Sequence, residues 1–442
     1  MDIEVMPARL QGAVPAIPAK SAAHRALICA ALADKPTRIA CGGNSEAADI
    51  AATVACLNAL GATITREAGG YLVHPLPPNR PGAADATPPN STQRPQEEER
   101  AVLPCGESGS TFRFLLPLAG ALGRAVSFHP AGRLPQRPLS PLYEELSRHG
   151  CLLSPQGTVP FEAAGQLQPG DYVLDAGISS QFISGLLFAL PLLEGESRLR
   201  LSGPAASFPY IELTLSMLEA FGIQLDFDGR VFTIAGRQIY RSPGTVSVEG
   251  DWSNAACWLA AGALGDNNIT CSGLNMYSRQ GDRAIAALLR RFGADTQENG
   301  AALTVSRSRL QGLEIDAEDI PDLVPILAVV GAVAEGITVI RQAARLRGKE
   351  SDRLAAITAV LRGLGGRISE TADGLLIRGG AALMGGEAPS WGDHRIVMAA
   401  AIAATVCKEP VIIRGAEAVN KSYPAFFSHL SLLGGTYRVM RS

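Results

Sequence analysis

Lys20-Ser21-Ala22-Ala23-His24-Arg25 sets two cations and a hydroxyl directly behind Pro15 and Pro18. The prolines stop there and a helix-forming run begins, so Lys20, Ser21 and Arg25 fall at or in the first turns of a helix. A helix start carries free N–H groups and the positive end of the dipole. With Lys and Arg added it is either an anion site or a solvated basic surface. A second segment, Cys105-Gly106-Glu107-Ser108-Gly109-Ser110-Thr111-Phe112-Arg113, runs two glycines and three hydroxyls into an apolar helix over 112–120. Such a loop can cradle phosphate with backbone N–H groups. It is not a P-loop, because no Lys follows the glycine.

Three more segments have the same form. Ile178-Ser179-Ser180-Gln181-Phe182 precedes an apolar helix, where Ser is also an ordinary capping residue. Arg347-Gly348-Lys349-Glu350-Ser351-Asp352-Arg353 is a dense charge run, either a site or a solvated face. Gly392-Asp393-His394-Arg395 runs straight into the apolar stretch 396–404, a placement that surface patterning does not explain.

The elements that must carry these segments repeat. The pattern Leu-x-x-[Leu/His/Phe]-Gly ends at Gly61, Gly150, Gly222, Gly293, Gly365 and Gly434, with spacings of 89, 72, 71, 72 and 69 residues. The two apolar residues share a helical face, and the glycine supplies the left-handed stop. A short alternating segment follows, as at 62–65 and 223–226, and predicts a strand. A fixed period signals a duplicated unit. The long first spacing is explained by an inserted Pro-rich polar loop at 75–99, whose composition cannot form a packed core. Six α/β units, three and three, predict two similar domains that meet near Arg241-Ser242-Pro243-Gly244.

Composition narrows the function. With 39 Lys and Arg against 42 Asp and Glu, the formal charge is −3, which argues against general attraction to nucleic acid or anionic membrane. The eight cysteines include no C-x-x-C pair and sit mostly in apolar runs, so buried free thiols in a reducing compartment are expected. The six histidines are scattered, and no metal site is expected. The segments 323–334 and 396–407 are too short to span a bilayer and read as buried helices. The first residues lack the charged and apolar regions of a secretory signal.

Taken together, Lys20-Ser21-x-x-x-Arg25, Gly109-Ser110, Arg133-x-x-x-Arg137-Pro138-Leu139, Ser179-Ser180-Gln181-Phe182, Pro209-Tyr210, Glu249-Gly250-Asp251, Ile320-Pro321-Asp322, Lys349-Glu350-Ser351-Asp352-Arg353 and Asp393-His394-Arg395 resemble, in this order, the signatures of the enolpyruvyl-shikimate-phosphate synthase family. The resemblance implies an α/β fold of two similar domains, each of three βαβαββ-like repeat units, with the active site in the interdomain cleft. It implies that the first residues belong with the C-terminal half, giving domains of 1–20 plus 246–442 and of 21–245. It further implies transfer of the enolpyruvyl group of phosphoenolpyruvate to the 5-hydroxyl of shikimate 3-phosphate. By resemblance, Ser21, Arg25, Ser179, Ser180, Gln181, Ser207, Asp322 and Lys349 would hold shikimate 3-phosphate. Gly109, Arg137, Gln181, Arg353, Arg395 and Lys421 would meet phosphoenolpyruvate, and Lys20 would touch both. Asp322 is the candidate base; Glu350 or Lys20 is the candidate acid.

No cofactor is expected. The expected partners are the two small-molecule substrates, with neither nucleic acid nor membrane, and the enzyme is read as a cytoplasmic monomer. The chain departs from the family where Glu107 replaces the common Asn, Ser110 a frequent Thr and Phe114 a Pro of some members. A carboxylate at 107 would repel phosphoenolpyruvate if it faced the ligand, so it is read as pointing away or as neutralised by a nearby arginine. Two rivals are weighed. The sister family acting on a UDP-sugar usually reads Lys-Asn in place of Lys20-Ser21 and lacks the run from Lys349 to Arg353. A non-catalytic binding protein would not need competent side chains at every candidate position.

Overall fold

The computed structural model describes residues 1–42, 46–77, 100–203 and 206–440. The Pro-rich insertion expected at 75–99 lies, from 78 onward, outside the described residues.

Among the described residues the strands form six four-stranded sheets. One shows the plan of all. Ala101–Gly106 pairs in parallel with Val126–Pro130 across the helix Gly109–Ala121, and the helix Leu142–Arg148 then leads to the hairpin of Leu152–Leu153 and Phe161–Ala164. Parallel neighbours need a crossover, which the first helix supplies, whereas the antiparallel pair needs only a turn. This is the expected βαβαββ unit. The repeat glycines Gly61, Gly150, Gly222, Gly293, Gly365 and Gly434 all have φ between +76° and +109°, the left-handed stop read from the pattern. The strand expected at 62–65 is Thr63–Glu67. The one expected at 223–226 starts only at Asp226, because the Gln238 side-chain amide takes both the N–H and the C=O of Gln224, each at 2.8 Å.

The first and fourth units exchange a strand. Thr245–Val248 pairs in parallel with Thr37–Cys41, and Gln11–Pro15 with Asn268–Ser272. Asp2–Val5 closes the last sheet between Val411–Arg414 and Tyr437–Met440. The boundary read at 246 therefore moves, because it falls inside a strand of the first sheet. Pro243-Gly244 precedes a strand rather than ending a domain. The chain crosses at 16–19 and at 249–251, and the two crossings pair: Ala19 N donates to Glu249 O and Asp251 N to Ile17 O, each at 2.8 Å.

Two hydrophobic cores result. One draws on residues from Ala23 to Tyr240, the other on Ile3 to Val14 and Trp252 to Leu433. Val324–Val333 and His394–Thr405 are the buried helices expected at 323–334 and 396–407. The eight cysteines are buried and free. Among the described residues no helix is long and apolar enough to cross a membrane.

Candidate active site

The first helix of every unit starts at one place. Lys20 of helix Lys20–Leu32, Gly109 of Gly109–Ala121, Ser180 of Ser180–Ala189, Ser253 of Trp252–Ala263, Asp322 just before Val324–Val333 and His394 of His394–Thr405 all line one cavity of about 460 Å³. Six positive dipole ends make that cavity anion-seeking before any side-chain charge is counted. The polar residues read ahead of these helices cap them. Ser108 accepts from Thr111 N, Ser179 from Gln181 N, Asp251 from Asn254 N and Asp393 from Arg395 N. The other Asp251 oxygen accepts from Lys20 N at 3.1 Å, so one carboxylate caps the starts of two helices.

Every site residue singled out from the sequence lines this cavity except Lys421. The charges are organised by Arg353, which is 2% exposed. Its Nε donates to Asp393 Oδ2 at 2.8 Å, one terminal nitrogen to Asp322 Oδ1 at 2.6 Å and the other to Glu350 Oε2 at 2.8 Å. Arg395 faces the second Asp322 oxygen at 3.5 Å and is held by the backbone and hydroxyl oxygens of Ser253. Arg137 approaches Glu350 at 3.6 Å. On the other wall Arg25 donates to Thr214, Ser21 O and Tyr210 O, and Gln181 joins Arg113 to Ser110. A side chain at 109 would lie 2.9 Å from Arg113 and 3.0 Å from Arg137, so glycine there lets both guanidinium groups reach the helix start.

These neighbours shift the ionisations. Burial alone would raise the Asp322 carboxyl, but Arg395, Arg353 and Lys349 hold it below the usual carboxylate range. Burial likewise opposes Glu350 ionisation, and the charges of Arg353, Arg137 and Lys349 overcome it. Burial pushes the Lys349 ammonium down to about 8. Burial, with Lys20 and Arg395 beside it, keeps the His394 ring neutral. The Nε atoms of Arg113, Arg137 and Arg395 and two nitrogens of Arg345 are buried donors without a protein acceptor, and all four residues line the cavity. Buried donors are ordinarily paired. Several open donors around one cavity suit an anion with many acceptor oxygens.

Sequence reasoning missed some lining residues. Asp49 pairs with Lys20 at 2.6 Å but lies 29 residues away, with no local signal. Arg113 was legible, one turn beyond Gly109 in the loop already noted. Ser207 has φ +58°, a left-handed conformation unusual for serine, at the start of Phe208–Ala220. Lys421 lies outside the lining, where it donates to Glu107 Oε2 at 2.7 Å and to Gly392 O at 2.6 Å. Glu107 is thus neutralised from the opposite core by a lysine, not by an arginine, and it does not line the cavity.

Fold and site define an α/β protein of repeated units with a cationic, carboxylate-bearing pocket for small polyanions. The sequence model of EPSP synthase (3-phosphoshikimate 1-carboxyvinyltransferase) matches residues 5–430. The chain belongs to this family. It is 40% identical over 435 residues to a Clostridium kluyveri protein named 3-phosphoshikimate 1-carboxyvinyltransferase, covering 98% of this chain and 97% of that one. A Clostridium acetobutylicum protein of the same name is 42% identical, with 98% and 97% covered. An EPSP synthase structure from Acinetobacter baumannii superposes with a TM-score of 0.79 at 24% identity over 100% of both chains. The enolpyruvyl transferase NikO from Streptomyces tendae does so at 0.77 and 20%, covering 100% of this chain and 99% of that one. At these identities the two structures establish the shared fold.

Proposed function

We propose that the enzyme transfers the enolpyruvyl group of phosphoenolpyruvate to the 5-hydroxyl of shikimate 3-phosphate and releases phosphate. The observation that carries this reading is the bridging of Asp322 and Glu350 by Arg353, two carboxylates in a pocket where cations outnumber carboxylates. Two phosphorylated carboxylates brought together in one cleft repel each other strongly at low effective dielectric. Lys20, Arg25, Arg137, Lys349 and Arg395 with six helix starts supply the opposing charge.

In this reading Ser21, Arg25, Ser179, Ser180, Ser207 and Lys349 hold shikimate 3-phosphate, while Arg137, Arg353, Arg395 and Lys421 hold phosphoenolpyruvate against Gly109. Gln181 and Lys20 serve both. Asp322 takes the proton of the attacking 5-hydroxyl as its oxygen bonds to the central carbon of phosphoenolpyruvate. Glu350 or Lys20 protonates the methylene carbon. From the tetrahedral intermediate phosphate leaves, and a methyl proton returns to the protein. The protein's own cations keep both carboxylates ionised, so Glu350 cannot yet act as an acid. Bound phosphates neutralise Arg353, Arg137 and Lys349, which moves both pKa values toward the working range.

The two cores, divided at 16–19 and 249–251, act as the domains that close on the ligands. Both cores of one chain line the cavity, which supports a monomer, and the eight buried free thiols suit the cytoplasm. Phosphate release is measured with shikimate 3-phosphate and, separately, with a UDP-sugar acceptor. Turnover with the first alone is expected. Turnover only with the second supports the sister reaction, and none with either supports a binding protein.

A further inference from the structure

Glu107 follows strand Ala101–Gly106 and stands two residues before the helix start at Gly109. Its side chain lies over Gly132, where an added side-chain carbon would fall 2.3 Å from Glu107 Oε2. The bare backbone at 132 leaves the carboxylate room to extend toward the opposite core. There it meets Lys421 Nζ at 2.7 Å, and the same ammonium donates to Gly392 O at 2.6 Å. Lys421 closes the turn Ala416–Lys421 of the second core, so the pair spans the cleft. The two side chains are 17% and 38% exposed, which puts the pair at the rim rather than in bulk solvent.

The rim position matters because of what lies next to each contact. Gly109 and Arg395 line the cavity, two residues beyond Glu107 and three beyond Gly392, while Glu107 and Lys421 themselves do not. Arg137 stands directly over Gly109. Lys421 is therefore a cation held beside the segments that lead to Gly109, under Arg137, and to Arg395, a side-chain swing from the cavity wall. A lysine stem has the freedom to make that swing, and its point charge has no preferred partner geometry. A carboxylate of the protein and a carboxylate or phosphate of a ligand present the same oxygen acceptors to it.

We infer that Glu107 sets the affinity for phosphoenolpyruvate by competing with it for Lys421; this rests on the function proposed above. The empty enzyme keeps Lys421 at the rim on Glu107, and the ligand anion draws it inward by displacing that carboxylate. Part of the ligand's binding energy is consumed in breaking the pair. Partly exposed ion pairs shift equilibria by up to about fivefold.

The experiment compares wild type, Glu107→Gln, Lys421→Met and the double variant, measuring kcat and both Michaelis constants by phosphate release. Glu107→Gln keeps the shape and removes the charge. Its KM for phosphoenolpyruvate is expected to fall about three- to fivefold, with a smaller change in kcat. Lys421→Met is expected to raise that KM, and adding Glu107→Gln to it to change nothing further, since the contested cation is gone. An unchanged or raised KM in Glu107→Gln overturns the inference, as does an equal fall in the Lys421→Met background. If Glu107→Gln does not fold, Glu107→Asp, one methylene shorter, is expected to lower the KM in the same direction. A wild-type enzyme that releases no phosphate defeats the functional reading and this inference with it. Normal wild-type turnover with an unmoved KM in Glu107→Gln defeats the inference alone.

Discussion

Asp251 Oδ2 accepts the backbone N–H of Lys20 at 3.1 Å across the two chain crossings, while its Oδ1 caps its own helix at Asn254 N, 2.8 Å away. The carboxylate is 3% exposed. One side chain thus aligns the starts of helices belonging to different cores, at the point where Lys20 enters the cavity. Asp251→Ala removes both caps. Each is worth about 0.5–2 kcal/mol, so a loss on the order of 1–4 kcal/mol is expected in urea unfolding. Asp251→Asn, which keeps an acceptor for one helix, is expected to lose less.

Asp322 and Glu350 differ from ordinary ion-pair partners in sharing one arginine inside the cavity. Asp322→Asn and Glu350→Gln preserve shape and remove proton chemistry. Both variants are expected to bind shikimate 3-phosphate in calorimetry and to lose at least about a hundredfold in turnover. Glu350→Gln is also expected to slow entry of solvent deuterium into the phosphoenolpyruvate methylene. Near-normal turnover in either variant removes that residue from the mechanism.

Asp282 is buried, accepts from the Tyr210 hydroxyl at 3.2 Å and has its second oxygen unpartnered. Burial first, and then the Asp322 charge, raise its carboxyl to about 7 from an ordinary 3.8. A raised folded-state pKa contributes stability that is complete below the unfolded value and is lost as pH rises through the folded one. Wild type therefore loses stability between about pH 4 and 7 through this group. Asp282→Asn cannot ionise. The melting temperature of the variant minus that of wild type is expected to grow across this window and to level off above it. A difference independent of pH would show that Asp282 ionises normally.

Lys349 bears on ligand binding. Its ammonium is pushed down to about 8 by burial, so the empty enzyme loses a cavity cation as pH rises past that value. An anionic ligand binds the charged form better, and its own phosphate titrates near 6, below the window. Calorimetry with shikimate 3-phosphate is expected to show affinity falling as pH rises through about 8. Lys349→Arg, charged throughout, is expected to show no inflection there.

The sequence alone determined the parts whose cause is local. Helix faces follow from apolar spacing, six left-handed stops follow from glycine after Leu-x-x-x, and Ser108, Ser179, Asp251 and Asp393 stand where capping geometry requires them. Because these rules act within one turn of chain, they mark most of the cavity without reference to any tertiary contact. Tertiary structure alone decided which starts converge and which charges face one another. The exchange of strands Gln11–Pro15 and Thr245–Val248 aligns the two crossings, and a boundary at 246 missed it because strand pairing across some 200 residues leaves no local trace. Lys20 finds Asp49 at a separation of 29 residues, Tyr210 finds Asp282 at 72 and Glu107 finds Lys421 at 314. No propensity or period encodes such pairs. They exist because two separately packed cores set their helix starts against a common cleft, and charge then selects partners among the side chains that packing has brought within reach.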